Sequence, residues 1–586
     1  MTARGTPSRR HLLTGLAASG LLLAAPPVLA QRLWTNPVFA ADPFSLGVAS
    51  GDPAEDGFVI WTKLAPEPLA EHGGMPMRGV EVSWEVAEDE GFTRVLQRGT
   101  GLARPELGHA VHVEVTGLQP DRFYAYRFTC GGVRSPIGRA RTFPAAGAAV
   151  EAMRFGVVGC QRYEDGFFTA FRHAAEERFD FIYHYGDYIY EYRTIRPGDR
   201  PLTVARVMPG DPDEIYALSD YRRRYALYKL DPDLQAAHAS APWLVSFDDH
   251  EIDNNWAGAI SEEAGVPPEI FALRRAAGFQ AWYEHMPLRR SALPNGPAIQ
   301  AYRRFRYGEL ARIDVLDTRQ FRSDQPCGDG WQVGCAEALA PERTMLGPAQ
   351  EAWLRDGFRL PPPRWTVLAQ QVMMMRLDSA PEIGTARYHM DKWDGAAAAR
   401  RRLFDALGEA GVVNTVVLTG DIHQNWAGEL KADFDDAGSA TVGVEFVATS
   451  ISSGGDGAPM TRAGGSVCRR TRISAISTTS AAICATRSAG TAGRPIIACW
   501  TVSARKAPAS RRPRASSSKR DGAACAPPER RARFRPRRRR QIDVTARHLW
   551  HSSRDTVRCA WGASPPCIST PITQDRLFFR HVEARL

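Results

Sequence analysis

Four short stretches of the 586-residue chain carry side chains that bind metals and move protons. They are Cys160; Gly186-Asp187-Tyr188-Ile189-Tyr190-Glu191; Asp248-Asp249-His250-Glu251, followed by Asp253, Asn254 and Asn255; and Thr419-Gly420-Asp421-Ile422-His423. A carboxylate that bridges two cations, with further ligands from other loops, holds a metal pair about 3.5–4 Å apart. Such a pair lowers the pKa of a bound water and clamps the oxygens of an in-line displacement at phosphorus. Tyr and Cys beside carboxylates favour a trivalent or soft ion such as iron at one position, and all-oxygen sets favour calcium or manganese. Glycine before each Asp, at Gly186 and Gly420, frees the backbone for a tight turn. Taken singly these signals are weak. A Gly-Asp step is commonly a turn, Asp249-His250 reads as a surface turn, Cys160 as a small buried apolar group, and Tyr190 as a packed aromatic. Their joint occurrence, each after an apolar run, is what points to a site.

The apolar runs supply the positioning elements. Arg154–Gly159, Phe179–Tyr185, Trp243–Phe247, Trp365–Ala369 and Thr415–Thr419 have strand character, and residues 167–178, 348–358 and 395–410 have helical spacing. Strands alternating with helices predict an α/β sheet covered on both faces, whose sites gather at the carboxyl ends of the strands. From Asp42 to Pro144 the pattern differs. Gly57–Trp61, Val80–Val86 and His112–Val115 alternate with period two between turns, which predicts a β-sandwich. Within it, Gly117-Leu-Gln-Pro-Asp-Arg-Phe-Tyr-Ala-Tyr-Arg-Phe128 resembles the tyrosine corner of fibronectin-type domains.

Both ends of the chain read differently again. Ser8-Arg9-Arg10-His11 precedes the apolar stretch Leu12–Leu23 and small residues up to Ala30. That is an export signal, and its Arg9-Arg10 pair resembles a twin-arginine signal, with cleavage after Ala30 or Ala41. No apolar run reaches the ~20 residues of a membrane-spanning helix, so no stable membrane insertion is expected. The net charge of +9 hides a split. Residues 461–586 hold 27 Lys+Arg and 6 Asp+Glu, which leaves residues 1–460 at −12. An Arg-, Ala-, Ser- and Pro-rich tail of this kind resists core formation. It reads either as an anionic-surface or nucleic-acid tail or as the product of a reading-frame shift in GC-rich DNA; the second is favoured, so no specific nucleic-acid partner is expected. Resequencing that finds no alternative frame with strand patterning after codon ~460 would defeat the frameshift reading.

The motifs resemble those of PhoD-type alkaline phosphatases, a branch of the calcineurin-like metallophosphoesterases related to purple acid phosphatases. The resemblance spans Asp42 to Asp456 and includes Phe44–Pro53, Leu316-Asp-Thr-Arg-Gln-Phe-Arg-Ser-Asp324, Lys392-Trp-Asp-Gly395 and Ser450-Ile-Ser-Ser-Gly-Gly-Asp456. It implies a metallophosphatase-type α/β sandwich of two mixed sheets flanked by helices, preceded by a fibronectin-like all-β domain and followed by a disordered tail. The expected organisation is an export signal and linker at 1–41, the β-sandwich at 42–150, the catalytic domain at 151–460 and the tail at 461–586. The resemblance also implies iron together with calcium, other divalent metals such as manganese or zinc being the alternatives. Cys160, Asp187 and Tyr190 would bind the iron, with Asp187 bridging. Asp249 falls on the metal-binding Asn of a Gly-Asn-His-Asp/Glu pattern and His250 on its substrate-facing His. Asp421 and His423 fall on a late Gly-His-x-His motif with Asp in place of the first His, and Asn254 is a further oxygen ligand candidate.

The implied function is a periplasmic or secreted phosphoesterase, exported through the twin-arginine machinery. It would hydrolyse phosphate monoesters or diesters by attack of a metal-bound hydroxide, with His250 as proton donor or phosphate contact. The alternative is an inactive or unstable homologue serving as a surface or binding protein. Arg222, Arg223 and Arg224 are candidate phosphate contacts, a solvated charge run being the other reading. Cys327 and Cys335 are disulfide candidates, with free buried thiols as the alternative.

Overall fold

Alternating apolar residues need a second layer to cover them, and two facing sheets supply it. A computed structural model describes residues 33–455, apart from 197–198, 200–205, 210–212, 380–384 and 437, together with the strands Ala498–Ser503 and Val544–Arg547. One mixed sheet has eight strands in the order Val544–Arg547, Ala498–Ser503, Ala152–Val158, Phe181–His184, Pro242–Val245, Val48–Ala54, Gly57–Lys63 and Ala110–Val115. The other has six, in the order Arg303–Tyr307, Ala311–Val315, Trp365–Ala369, Thr415–Thr419, Thr441–Val447 and Trp426–Lys431.

The central strands of each sheet run parallel and the outer ones antiparallel, which makes both sheets mixed. Register decides which side chains meet between the sheets. Phe181 pairs with Phe155 and Tyr183 with Val157, so all four face the second sheet, where Val367, Leu418 and Phe446 complete the layer. Ile182 pairs with Trp243 on the opposite face and packs under the helices Leu218–Lys229, Pro232–Ser240 and Pro268–His285. Gly347–Phe358 and Ala397–Glu409 cover the far face of the second sheet. The result is the expected sandwich of two mixed sheets between helices.

The N-terminal strands form a β-sandwich whose core joins Val82, Val86, Tyr124 and Phe128 to Val48, Phe58 and Val115. Tyr124 closes its corner as expected: its hydroxyl accepts the Gln119 N–H and donates to the Gln119 carbonyl, both at 3.0 Å. This sandwich shares a sheet with the rest of the chain. Val48–Ala54 pairs parallel with Pro242–Val245, so the hydrogen-bonded sheet runs through the expected 150/151 boundary.

Two short segments beyond residue 460 join the first sheet. Ala498–Ser503 pairs antiparallel with Ala152–Val158, and Val544–Arg547 pairs with Ala498–Ser503. An edge strand exposes unpaired backbone groups, and an alternating Ala-Cys-Trp-Thr-Val-Ser run satisfies them. The remainder of the tail and the export motif through Ala30 lie outside the described residues, as does Asp456. Among the described residues no helix is long and apolar enough to cross a membrane.

Candidate metal centre

The parallel strands end together, and the loops that follow them converge. Cys160 follows Ala152–Val158, Asp187 follows Phe181–His184, Asp249 and His250 follow Pro242–Val245, and His423 follows Thr415–Thr419. Asp187 lies at the centre of this convergence. Its Oδ2 accepts hydrogen bonds from the Cys160 thiol at 3.2 Å and the Tyr190 hydroxyl at 2.9 Å. The Tyr190 oxygen lies 3.3 Å from His423 Nε2. Ligand atoms of Cys160, Asp187 and His423 fall within 4.8 Å of one another, and so do those of Asp187, Asp249 and His250. Asp187 belongs to both groups, which is the geometry of a bridging ligand.

The local backbone is strained where the ligands sit. Cys160, Asp187, Asp421 and His423 all have φ between 52 and 68°, a region costly for residues with a Cβ and concentrated at functional sites. The strain therefore falls on the ligands, whereas the sequence pattern assigns the turn to the preceding glycines. Gly186 does take φ +137°, but Gly420 serves by being small: a Cβ there would stand 2.1 Å from the Tyr185 ring.

Electrostatics test whether a cation fits. Burial and mutual repulsion push the Cys160 thiol, the Asp187 carboxyl and the Tyr190 hydroxyl well above their ordinary ranges, His250 alone opposing this at Asp187. Asp187 Oδ1 is buried without a hydrogen-bond partner. Acidic groups packed together with an orphaned oxygen suit a metal ion, which reverses each of those directions. His250 is raised: burial opposes its charge, but Glu191, Asp249 and Asp187 outweigh burial. Its Nδ1 pairs with Glu191 Oε2 at 2.8 Å, which leaves Nε2 for another partner. Asp249 is held low against burial by Arg319 and His250, and its Oδ2 accepts the Asn255 N–H at 2.9 Å.

With this geometry, the comparisons have a physical counterpart. PhoD-like phosphatase sequences match residues 155–488, and their N-terminal domain matches residues 29–144. The chain belongs to the PhoD-like phosphatase family. The match runs past the composition change near residue 460. "Alkaline phosphatase D" of Bacillus subtilis (strain 168) is 48% identical over 460 residues, covering 77% of each chain. The solved "Structure of PhoD" matches with TM-score 0.74 and 44% identity, covering 80% of this chain and 86% of that one. A glycosyl hydrolase family 2 member from Bacteroides cellulosilyticus aligns at TM-score 0.23 and 8% identity, too little to carry any argument.

Two further candidate ligands have other partners in this PhoD-like chain. The Asn254 side chain donates to Glu262 at 2.6 Å. Its neighbour Asn255 is the residue that reaches Asp249. The Asp421 carboxylate meets the Lys392 ammonium, whose charge it balances. Arg222 and Arg224 are neither solvated nor aimed at the centre. Arg222 pairs with buried Glu284, and Arg224 is buried and donates to the Tyr190 and Tyr192 carbonyls. Cys327 and Cys335 form a disulfide.

Supporting roles, that of Glu251 inside its motif included, escape a motif reading because the partners are remote in sequence. Glu251 accepts the N–H groups of Asp187, Tyr188 and Asp248 at 3.1, 2.6 and 2.9 Å. Arg319, fully buried, donates to Asp248 at 2.6 Å and in bidentate fashion to Asp391 at 2.9 and 3.1 Å, and lies 3.5 Å from Asp249. The Tyr190 oxygen also accepts from Ser453 Oγ at 2.7 Å. A signal existed: Arg319, Lys392 and Ser453 lie inside the family-like stretches quoted above.

Proposed function

We propose that this protein is an exported, metal-dependent phosphoesterase that hydrolyses phosphate monoesters or diesters. The observation that carries this reading is the convergence of Cys160, Asp187, Tyr190, His423 and Asp249 around one shared carboxylate, in a chain 48% identical to an alkaline phosphatase D. Cys160, Tyr190 and His423 with Asp187 would hold iron, the thiolate and phenolate suiting a trivalent or soft ion. Asp187 with Asp249 would hold calcium, for which oxygen ligands suffice. When bound, the metals supply Lewis-acid polarisation of the ester and activation of water.

The chain's own contribution is positioning and proton transfer. Glu191 fixes the His250 ring through Nδ1, so Nε2 is free to hydrogen-bond a phosphoryl oxygen or protonate the leaving oxygen. Asn255 and Arg319 orient Asp249. Export through the twin-arginine pathway, with metal loading beforehand, fits the Arg9-Arg10 signal.

The test is hydrolysis of a chromogenic monoester and diester by the metal-loaded protein, alongside metal analysis. Asp187→Asn should lose metal and at least ~100-fold in activity. A metal-loaded parent that cleaves neither ester, or an Asp187→Asn variant that matches it, sinks the reading.

A further inference from the structure

We propose that Arg162 binds the phosphoryl group of the substrate, which deepens the phosphoesterase reading and rests on it. Among the described residues, the other cationic side chains around the centre are committed. Arg319 and Arg322 are paired with Asp391, Lys392 with Asp421, and Arg274 with Asp253 and Glu214. Arg224 donates to two carbonyls. Arg162 stands two residues after Cys160, and its guanidinium has no ion pair or hydrogen bond among the described residues.

Its backbone is clamped to the centre from both sides. The Arg162 N–H donates to Ser453 Oγ at 2.9 Å and its carbonyl accepts from Ser452 Oγ at 2.8 Å. Ser453 Oγ also donates to the Tyr190 oxygen, so one serine links the Arg162 backbone to a proposed metal ligand. The side chain is placed by aromatic rings. Its guanidinium carbon lies 5.1 Å from the Tyr192 ring centroid and 5.9 Å from that of Tyr190. Those two rings lie 5.1 and 4.1 Å from the His250 ring. The guanidinium and the imidazole therefore rest on the same pair of tyrosines, beside Asp187.

Stacking over an aromatic face leaves the N–H fork of an arginine available at its edge. A half-exposed guanidinium in that position, with no carboxylate of its own, matches two non-bridging phosphoryl oxygens. The acidic group that feels its charge, Glu164, is occupied: both of its oxygens accept the Ile195 N–H, at 3.1 and 3.2 Å.

The test uses the metal-loaded full-length protein and the variants Arg162→Met and Arg162→Lys. Inorganic phosphate affinity is measured by titration and monoester hydrolysis by KM and kcat. Arg162→Met should weaken phosphate binding about 10-fold, equivalent to about 1.4 kcal/mol, and raise KM in proportion. Arg162→Lys should recover part of the loss, with metal content and melting temperature unchanged in both. Phosphate affinity in Arg162→Met within twofold of the parent overturns the assignment. A fall in melting temperature with unchanged phosphate affinity does the same, because it means that Arg162 only packs on Tyr192. A parent that binds phosphate but hydrolyses no ester overturns the proposed activity, while the titration still decides Arg162.

Discussion

Glu251 is where a single oxygen decides how well the centre is assembled. Its carboxylate is buried, and both oxygens face backbone donors. Oε2 accepts from Asp187 and Asp248, and Oε1 from Tyr188. It thereby ties the loop after Phe181–His184 to the loop after Pro242–Val245, the two that carry Asp187 and Asp249. In Glu251→Gln one oxygen still accepts two N–H groups, but an amide NH2 now faces the third. An orphaned buried donor costs about 1–3 kcal/mol, and two bonds that lose charge assistance cost about 0.5–1 kcal/mol each. We therefore expect Glu251→Gln to lose about 2–5 kcal/mol, enough to register against the 5–15 kcal/mol typical of a domain. Burial raises the Glu251 carboxyl to about 8 in the metal-free protein, so urea unfolding of that form at pH 9, where the group is ionised, reads the stability, and metal analysis reads the centre. Bound metal should fall about tenfold at limiting concentration, the lower range for a residue that orients ligands. A variant with parent stability within 0.5 kcal/mol and full metal content refutes the argument.

Other outcomes follow from the same geometry. His184 is fully buried, its Nδ1 accepting the Gly186 N–H and its Nε2 donating to Gln161. Burial, aided by Lys229, lowers its pKa from 6.5 to about 3. A depressed imidazole contributes stability that is present above pH 6.5 and lost as pH falls toward 3, about 3 kcal/mol of it by pH 4. His184→Gln should flatten that part of the acid-unfolding curve relative to the parent; parallel curves between pH 6.5 and 4 would falsify this. The Cys327–Cys335 disulfide closes an eight-residue step. Its removal in Cys327→Ser/Cys335→Ser should cost about 2–3 kcal/mol by loop-closure entropy, and an unchanged unfolding midpoint would contradict that account.

The positions of Cys160, Asp187, Tyr190, Asp249, His250 and His423 were legible before any coordinates. Each follows an apolar run, and a parallel strand delivers whatever comes next to one edge of the sheet. Trp365–Ala369 and Thr415–Thr419 also emerged with their limits as read, since continuous apolar runs of five residues leave little choice of structure. The partners of Asn254 and Asp421 were not legible in the same way. Whether an oxygen donor faces a metal or a neighbouring charge depends on what lies across the pocket, here Glu262 and Lys392. Arg224 looked like surface charge and is buried, because the carbonyls that neutralise its donors come from residues 190 and 192, more than thirty positions away.

Sequence alone therefore determined the donor types and their places at strand ends, because both are local facts. It also determined the compositional break near residue 460, because charge is additive along the chain. Tertiary structure alone decided that Asp187 stands within reach of two sets of donors, that Glu251 holds its loop, and that Arg162 is tied to Ser453 beside it. Those are questions of distance between residues as far apart as Arg162 and Ser453, and no pattern of spacing encodes them until the sheets have packed.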